Sequence, residues 1–123
     1  MLQTFLKAKI HRIPVTSCDV NYEGSISISR ELLNLTGIQV YEQVHVWDVT
    51  NGSRFITYAI EGLPGQIQVN GSAAHLMDPG HILIIAAFVQ LEKSEIADHR
   101  IPKVLCSINP DGTVNHTVEY AAI

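Results

Sequence analysis

Apolar and polar residues alternate along much of the chain with a period of two, which is the spacing of β-strands. In QTFLKAKIHRIPV, this alternation places Lys9, His11 and Ile13 on one strand face and Ala8 and Ile10 on the other. Similar runs recur to the end of the sequence, and together they predict about seven short strands. The pattern therefore predicts a mainly β protein.

Turn residues divide these runs into hairpins and helices. Asn51-Gly52 separates VHVWDV from RFITYAI and predicts a hairpin, because this pair accepts positive φ. SRELLNLTG predicts a helix that begins after Ser29 and ends at Gly37, and SAAHLM predicts a second short helix. ILIIAAFVQL is apolar throughout, which predicts a fully buried strand. KVLCSI and TVNHTVEY predict a last hairpin whose final residues fray.

The length and composition fit one domain that assembles with copies of itself. A chain of 123 residues is long enough for one core, so we predict a single domain over residues 1–123. Many short strands in a small apolar chain favour a closed barrel, since closure removes exposed strand edges. Hydrophobic residues make up 46% and charged residues 16%, an apolar balance that predicts a homo-oligomer.

The charge and the cysteines limit the class of partner and the compartment. The net charge of −4 argues against nucleic acid, because phosphate binding needs clustered lysine and arginine. Cys18 and Cys106 have no metal or redox spacing, and Lys7 and Lys9 interrupt any secretion signal, so we expect a cytoplasmic protein. The apolar run 82–89 is too short to cross a membrane, and the histidines show no metal-ligand spacing.

Gly24-Ser25 interrupts an alternating run, VNYEGSISIS, that otherwise predicts strand on both sides. A serine hydroxyl can attack the preceding carbonyl carbon, which converts the amide to an ester, and glycine tolerates the strained backbone that this needs. Elimination from the ester leaves dehydroalanine, and hydrolysis of dehydroalanine leaves an electrophilic pyruvoyl group. On these two residues alone, a Gly-Ser bulge or turn is the favoured interpretation.

Arg54 and Tyr58 lie four residues apart in RFITYAI and so share a strand face. An arginine that binds a carboxylate beside a tyrosine that donates a proton would form an acid–anion site. Thr57 points to the other face of a regular strand. The alternative is an ordinary exposed strand face near a hairpin.

Two further segments carry groups suited to an anionic ligand. Lys9 and His11 place two cationic or potentially cationic groups side by side, although a solvated edge strand is the commoner case. In VNGSAAH, Asn70-Gly71 and the small residues that follow let backbone N–H groups approach a ligand closely. The alternative for this segment is a turn that leads into a helix.

Taken in order, these motifs resemble the pyruvoyl-dependent aspartate 1-decarboxylases. The resemblance rests on KIHR at 9–12, YEGS at 22–25, TNGSRFITYAI at 50–60 and VNGSAAH at 69–75. It extends from Leu6 through Val89, and the stretch after Lys93 matches least well. Any one of these motifs is weak, whereas all of them in register are highly specific.

The resemblance implies a double-psi β-barrel with short helices, a homotetramer and an inactive proenzyme. The proenzyme would cleave itself between Gly24 and Ser25 into a β chain of residues 1–24 and an α chain of residues 25–123, with Ser25 converted to a pyruvoyl cofactor. The implied reaction is decarboxylation of L-aspartate to β-alanine and CO2 through a Schiff base. The β-alanine would supply pantothenate and coenzyme A biosynthesis. Whether maturation needs a helper protein stays open.

The resemblance also assigns roles to single residues. Thr57 matches the residue that assists cleavage and lies beside the substrate, and Tyr58 matches the proton donor. The other residues implied to bind substrate are Lys9, His11, Tyr22, Arg54, Asn70, Gly71, Ser72 and Ala73. One departure is Ser72, where alanine is usual, and a contact through its backbone N–H would be little affected.

Two alternatives to this function stay open. A non-catalytic β-barrel binding module would explain the fold and the oligomer, and it predicts a single intact chain. Another pyruvoyl amino-acid decarboxylase predicts two chains and a different substrate. A mass spectrum under denaturing conditions distinguishes the first alternative from a self-cleaving enzyme by the number of chains. An assay of aspartate against other amino acids distinguishes the second alternative by its substrate.

Overall fold

The computed structural model describes all residues from Met1 to Ile123, and strands make up 54% of them. The nine β-strands are β1 Gln3–Pro14, β2 Ser17–Asp19, β3 Ser25–Ser29, β4 Gln43–Asp48, β5 Arg54–Gly62, β6 Ile67–Asn70, β7 Ile82–Leu91, β8 Arg100–Ile108 and β9 Val114–Ala122. The helical segments are one α-helix, α1 Arg30–Thr36, and two 3₁₀ helices, Gly71–Leu76 and Lys93–Asp98. The predicted mainly β fold with short helices is confirmed.

All nine strands belong to one sheet with the order β2-β6-β3-β5-β4-β7-β1-β8-β9. Only Val15 and Thr16 separate β1 from β2, so the chain passes directly from the seventh strand of this order to the first. The backbone N–H of Thr16 donates a hydrogen bond of 2.9 Å to the carbonyl of Ile67, the first residue of β6. The arrangement is compatible with the predicted double-psi β-barrel, although no ladder pairs β2 with β9 and the sheet stays open.

The core follows directly from the alternation along the central strands. Ile85 of β7 pairs with Ile10 of β1 on one side and with Val46 of β4 on the other. Val104 of β8 continues this row, and all four side chains are fully buried. Each such aliphatic side chain stabilises the fold by about 1.5–3 kcal/mol when it leaves water. The row therefore ties four strands together through the centre of the molecule.

A β-bulge changes the predicted faces of β1. The register of β1 against β7 shifts between His11 and Ile13, and Arg12 between them has a φ of 66°, in the left-handed region. The extra residue turns Ile13 to the buried side with Ile10. The predicted grouping of Ile13 with Lys9 and His11 is therefore wrong, while Lys9 and His11 do share a face.

The predicted hairpins and the main helix are present. β4 and β5 form an antiparallel pair around Gly52, whose φ is 79°, and β8 pairs with β9 along its whole length. α1 ends at Gly37, which has a φ of 74° and donates its N–H to the carbonyl of Leu33. Ser29 precedes α1 as predicted, but its hydroxyl makes no capping hydrogen bond.

Four details of the predicted pattern are wrong. There are nine strands rather than about seven, and the residues Val20–Tyr22 form a turn because the strand before Gly24 already ends at Asp19. β7 is not fully buried, since Phe88 in its second half is 37% exposed. The final residues do not fray, because Ala122 pairs with Arg100.

One helical segment lies outside the predicted set. The 3₁₀ helix Lys93–Asp98 begins with a capping box in which Glu92 and Glu95 exchange side-chain and backbone hydrogen bonds. The two predicted helices correspond to α1 and to the 3₁₀ helix Gly71–Leu76. None of the helical segments has the length and apolarity needed to cross a membrane.

We expect Ile85→Ala to lower the free energy of unfolding by roughly 2–5 kcal/mol, because it leaves a cavity in the row that joins four strands. The matched control is Ile108→Ala, since Ile108 is 50% exposed near the end of β8. That change should cost less than about 1 kcal/mol. Urea unfolding followed by circular dichroism measures both values, and similar losses for the two variants would contradict the assigned core.

Candidate active site

Ser25 lies where β3 enters the sheet. β3 runs parallel to β5, with Ile26 opposite Ala59, and antiparallel to β6, with Ser25 opposite Asn70. Ser25 is only 2% exposed, whereas Gly24 immediately before it is exposed. The Gly24–Ser25 peptide bond therefore marks the boundary between an exposed turn and a buried strand.

Hydrogen bonds fix the direction of the Ser25 hydroxyl. The hydroxyl donates to the backbone carbonyl of Glu23 at 2.9 Å and accepts from the Asn70 side-chain amide at 2.9 Å. The same Asn70 nitrogen also donates to the hydroxyl of Ser27 at 3.1 Å. Because Asn70 is only 1% exposed, these bonds form without competition from water.

The chain contains two other Gly-Ser pairs, Gly52-Ser53 and Gly71-Ser72, and neither resembles Gly24-Ser25 in its surroundings. The hydroxyls of Ser53 and Ser72 make no hydrogen bond within the chain, and neither residue is buried. Only Ser25 has a buried and oriented hydroxyl next to a glycine carbonyl. This contrast separates the motif from an ordinary Gly-Ser turn.

Gly71 brings the segment after β6 against the turn at Gly24. It has a φ of 75°, and a Cβ at this position would lie 2.7 Å from the Cα of Gly24 and 3.0 Å from its nitrogen. Real Cβ atoms do not approach backbone so closely, so the contact requires glycine. In the intact chain, Gly71 thus allows two backbone segments to meet, whereas its predicted approach to a ligand stays a prediction.

A cavity of about 370 Å³ opens beside this contact. It brings together five of the predicted site residues with three apolar ones, and its lining is Gly24, Phe55, Ile56, Thr57, Asn70, Ser72, Ala73 and Leu76. Pockets for small ligands have volumes from about 300 Å³ upward. The cavity is therefore large enough for a small polar ligand next to the Gly24–Ser25 bond.

Tyr58 lies on β5 near the same turn, with its ring centroid 6.0 Å from that of Tyr41. Burial raises the pKa of the Tyr58 phenol above its ordinary value, and the negative charge of Glu23 beside it raises that pKa further. The exposed Tyr22 is a third phenol close enough to contribute in the same direction. At neutral pH the Tyr58 phenol is thus protonated and able to donate a proton.

Arg54 is the first residue of β5, four residues before Tyr58, and lies over a different part of the surface. Its guanidinium carbon is 4.6 Å from the centre of the Trp47 ring, a cation–π contact. The two line a second cavity of about 250 Å³ with His45, Phe55 and Ile56. Phe55 and Ile56 border both cavities, so the two are neighbours along β5. Arg54 takes part in none of the ion pairs of the chain.

Lys9 and His11 are not brought to Ser25 within one chain. They lie on β1, which β7 and β4 separate from β5, so three strand spacings of about 4.8 Å give roughly 14 Å between β1 and β5. The strand pairing nevertheless places Lys9, His11 and Arg54 on one outward face of the sheet. His11 continues through Ile84 and Trp47 to Arg54 in a single row across the sheet.

The structure indicates the charge of the His11 imidazole beside Lys9. Burial lowers the pKa of the His11 imidazole, and the positive charges of Lys9 and Arg12 lower it further. The Nδ1 atom of His11 is buried without a hydrogen-bond partner. At neutral pH this strand face therefore presents the ammonium group of Lys9 beside a neutral imidazole.

Two residues that contact the predicted site residues, Ser27 and Glu23, are not indicated as site residues by the sequence. The Asn70 amide nitrogen donates a hydrogen bond to Ser27 as well as to Ser25. The backbone carbonyl of Glu23 accepts from the Ser25 hydroxyl, and the side-chain charge of Glu23 raises the pKa of Tyr58. The period of two could have indicated Ser27, because residues two apart in a strand face the same way. Nothing in the sequence pattern indicates that Glu23 approaches Tyr58.

Comparison with known proteins shows the family of this chain. Residues 1–112 match the family described as Aspartate decarboxylase. The chain is 50% identical over 119 residues to the aspartate 1-decarboxylase of Acinetobacter baylyi, a match that covers 95% of this chain and 93% of the relative. It is 48% identical over 116 residues to that of Polaromonas naphthalenivorans, covering 93% and 90%. The chain therefore belongs to the aspartate decarboxylase family, and the family predicted from the motifs is confirmed.

We expect Glu23→Gln to lower the pKa of Tyr58 toward the ordinary phenol value of about 10, because it removes the adjacent negative charge. The measurement is an ultraviolet titration of phenolate in a Ser25→Ala background, with Tyr58→Phe used to assign the transition. Glu119→Gln removes a charge on β9, which four strands separate from β5 and Tyr58, and should leave this transition in place. An unchanged Tyr58 transition in Glu23→Gln would contradict the arrangement.

Proposed function

We propose that this protein is an aspartate 1-decarboxylase that makes its own pyruvoyl cofactor. It would convert L-aspartate to β-alanine and CO2 through a Schiff base with that group. The single observation that carries the proposal is the buried Ser25 hydroxyl, which Asn70 orients beside the exposed Gly24. The family and the names of the relatives support aspartate as the substrate.

We propose that self-cleavage divides residues 1–123 into a β chain, 1–24, and an α chain, 25–123. The Ser25 oxygen attacks the carbonyl carbon of Gly24, the nitrogen of Ser25 leaves as an amine, and an ester forms. Elimination then releases the carboxylate of Gly24, and loss of ammonia by hydrolysis leaves the pyruvoyl group. Thr57 lines the cavity beside Gly24, which is where a residue that assists this cleavage would have to lie.

The residues around the cavity suit the reaction that follows. A pyruvoyl group supplies an electrophilic ketone and accepts the electrons released when CO2 is lost. Tyr58, whose phenol is protonated at neutral pH, is the proposed proton donor to the substrate α-carbon. The guanidinium of Arg54 has no carboxylate partner in the chain and is the proposed partner of a substrate carboxylate. Asn70 and the backbone of Gly71–Ala73 would form the remaining wall.

We propose that the active form is a homotetramer in which neighbouring subunits complete each site. Lys9 and His11 lie too far along the sheet to reach the Gly24 cavity of their own chain. The outward face that carries them also exposes Ile56 by 58% and Phe88 by 37%, apolar surface that a second subunit would cover. In such an assembly, Lys9 and His11 of one subunit would line the site of its neighbour, whereas Tyr22 would serve the site of its own chain, where it lies close to Tyr58.

The proposed compartment and pathway follow from the same family membership. We propose that the enzyme works in the cytoplasm, where its β-alanine would supply pantothenate and coenzyme A biosynthesis. Both cysteines are free thiols, as expected for a reducing compartment. A β-alanine requirement in cells that lack this enzyme would be the corresponding growth phenotype.

Some variants should lose cleavage, and others should cleave but lose turnover. We expect Ser25→Ala to remain one chain without activity, because the attacking oxygen is missing. Tyr58→Phe and Arg54→Ala should still cleave but lose turnover, whereas Thr57→Val should slow or stop cleavage. Denaturing mass spectrometry counts the chains, and release of CO2 from aspartate measures turnover.

Ser53→Ala is the matched control, since Ser53 also follows a glycine but has no oriented hydroxyl. It should give two chains and normal turnover. An active, uncleaved Ser25→Ala protein would overturn the proposed function. A wild-type protein that stays intact and inactive would instead favour the binding module.

A mixed assembly tests whether subunits share a site. Lys9→Ala and Tyr58→Phe chains, each inactive alone, should regain part of the activity when they are coexpressed with different tags and purified together. Rescue is expected because some interfaces then combine an intact Lys9 with an intact Tyr58. Each variant purified alone is the control, and a mixed protein as inactive as both controls would contradict the shared site.

A further inference from the structure

A line of amide side chains leads from the β5–β6 turn toward the active-site serine. The backbone N–H of Leu63 donates to Oε1 of Gln66 at 2.9 Å. The Nε2 of Gln66 then donates to Oε1 of Gln68 at 3.2 Å, and the hydroxyl of Ser17 donates to the same oxygen at 2.8 Å. A backbone N–H can only donate, so the N–H of Leu63 must meet the oxygen of Gln66. The NH₂ group of Gln66 therefore points to the oxygen of Gln68.

The line continues without a break to Ser25. The Nε2 of Gln68 donates to Oδ1 of Asn70 at 2.7 Å, and Nδ2 of Asn70 donates to the Ser25 hydroxyl at 2.9 Å. Ser25 donates in turn to the carbonyl of Glu23 at 2.9 Å, and a carbonyl can only accept. The direction of every bond is thus set at both ends by backbone groups.

The sequence builds this line through the period of a strand. Gln66, Gln68 and Asn70 are two residues apart and face the same way, whereas Ile67 between them is buried in the core. Gly62 leaves room for the first amide, because a Cβ there would lie 2.8 Å from Oε1 of Gln66. Gln68 and Asn70 are therefore held by β6, which packs against the core, and Gln66 lies immediately before that strand.

We propose that Gln68 is a positioning residue for cleavage of the Gly24–Ser25 bond, a role that rests on the proposed function. Gln68 keeps the oxygen of the Asn70 amide toward itself and the NH₂ group toward Ser25. Ser25 then accepts from Asn70, and its own proton points to the Glu23 carbonyl. A reversed Asn70 amide would present an oxygen to Ser25 and draw that proton away from Glu23.

The variant Gln68→Glu tests this direction with little change of shape. Its carboxylate at neutral pH accepts from Gln66 and Ser17 but cannot donate to Asn70, so it favours the reversed amide. We expect cleavage about tenfold slower than in the wild type at neutral pH. As the pH falls toward the ordinary glutamate pKa of about 4.3, the protonated carboxyl can donate again and the rate relative to wild type should recover.

Gln68→Met distinguishes the effect of the direction of the Gln68–Asn70 hydrogen bond from an effect of side-chain packing. It removes donor and acceptor together and should be slow at every pH without recovery. Gln3→Glu adds the same charge at an exposed position of β1 and should cleave like the wild type. Each chain is made by cell-free synthesis and moved to buffers of different pH, the cleaved fraction is followed by denaturing mass spectrometry, and thermal unfolding checks the fold.

The outcomes distinguish this inference from the proposed function. Cleavage of Gln68→Glu at the wild-type rate at neutral pH would overturn the role of Gln68, as would slow cleavage with the same flat pH profile as Gln68→Met. In both cases the wild type still cleaves, and the proposed function stands. A wild-type chain that never cleaves would contradict the proposed function and this inference with it.

Discussion

The candidate site depends on how β5 and β6 hold the start of β3 between them. This pairing buries Ser25 while Gly24 stays in the exposed turn, so one peptide bond spans two very different environments. Asn70 satisfies the buried hydroxyl from β6, and Gly71 allows the two backbones to approach because it has no Cβ. Removing Asn70 would leave a buried hydroxyl with one partner fewer, at a cost of about 1–3 kcal/mol.

The same sheet spreads the charged groups over a single outward face. Arg54 begins β5 and Tyr58 lies at its middle, while Lys9 lies across β7 and β4 on β1. A ligand at the Gly24 cavity therefore meets the hydroxyl groups of Thr57 and Ser72 and the amide of Asn70 first. The proposed assembly explains why so much apolar surface accompanies the cations on that face, and why the composition has few charges for a chain of this size.

Local chemistry made much of this structure predictable. Alternation indicated the strands, Asn51-Gly52 the hairpin, and Gly37 the end of α1. The bulge at Arg12 could not be predicted, because it depends on pairing with β7 rather than on local preference. The order of the motifs indicated the family, but no local pattern shows that Glu23 approaches Tyr58 or that Asn70 reaches Ser25, since those contacts join distant strands.

The central claim is that Ser25 becomes the reactive carbonyl group of the enzyme. The most direct measurement is reduction with borohydride in the presence of isotopically labelled L-aspartate, followed by peptide mass spectrometry. We expect a chain that begins at position 25 and carries the label on that first residue. Label attached to a lysine side chain, or a single unlabelled chain that still releases CO2, would contradict it.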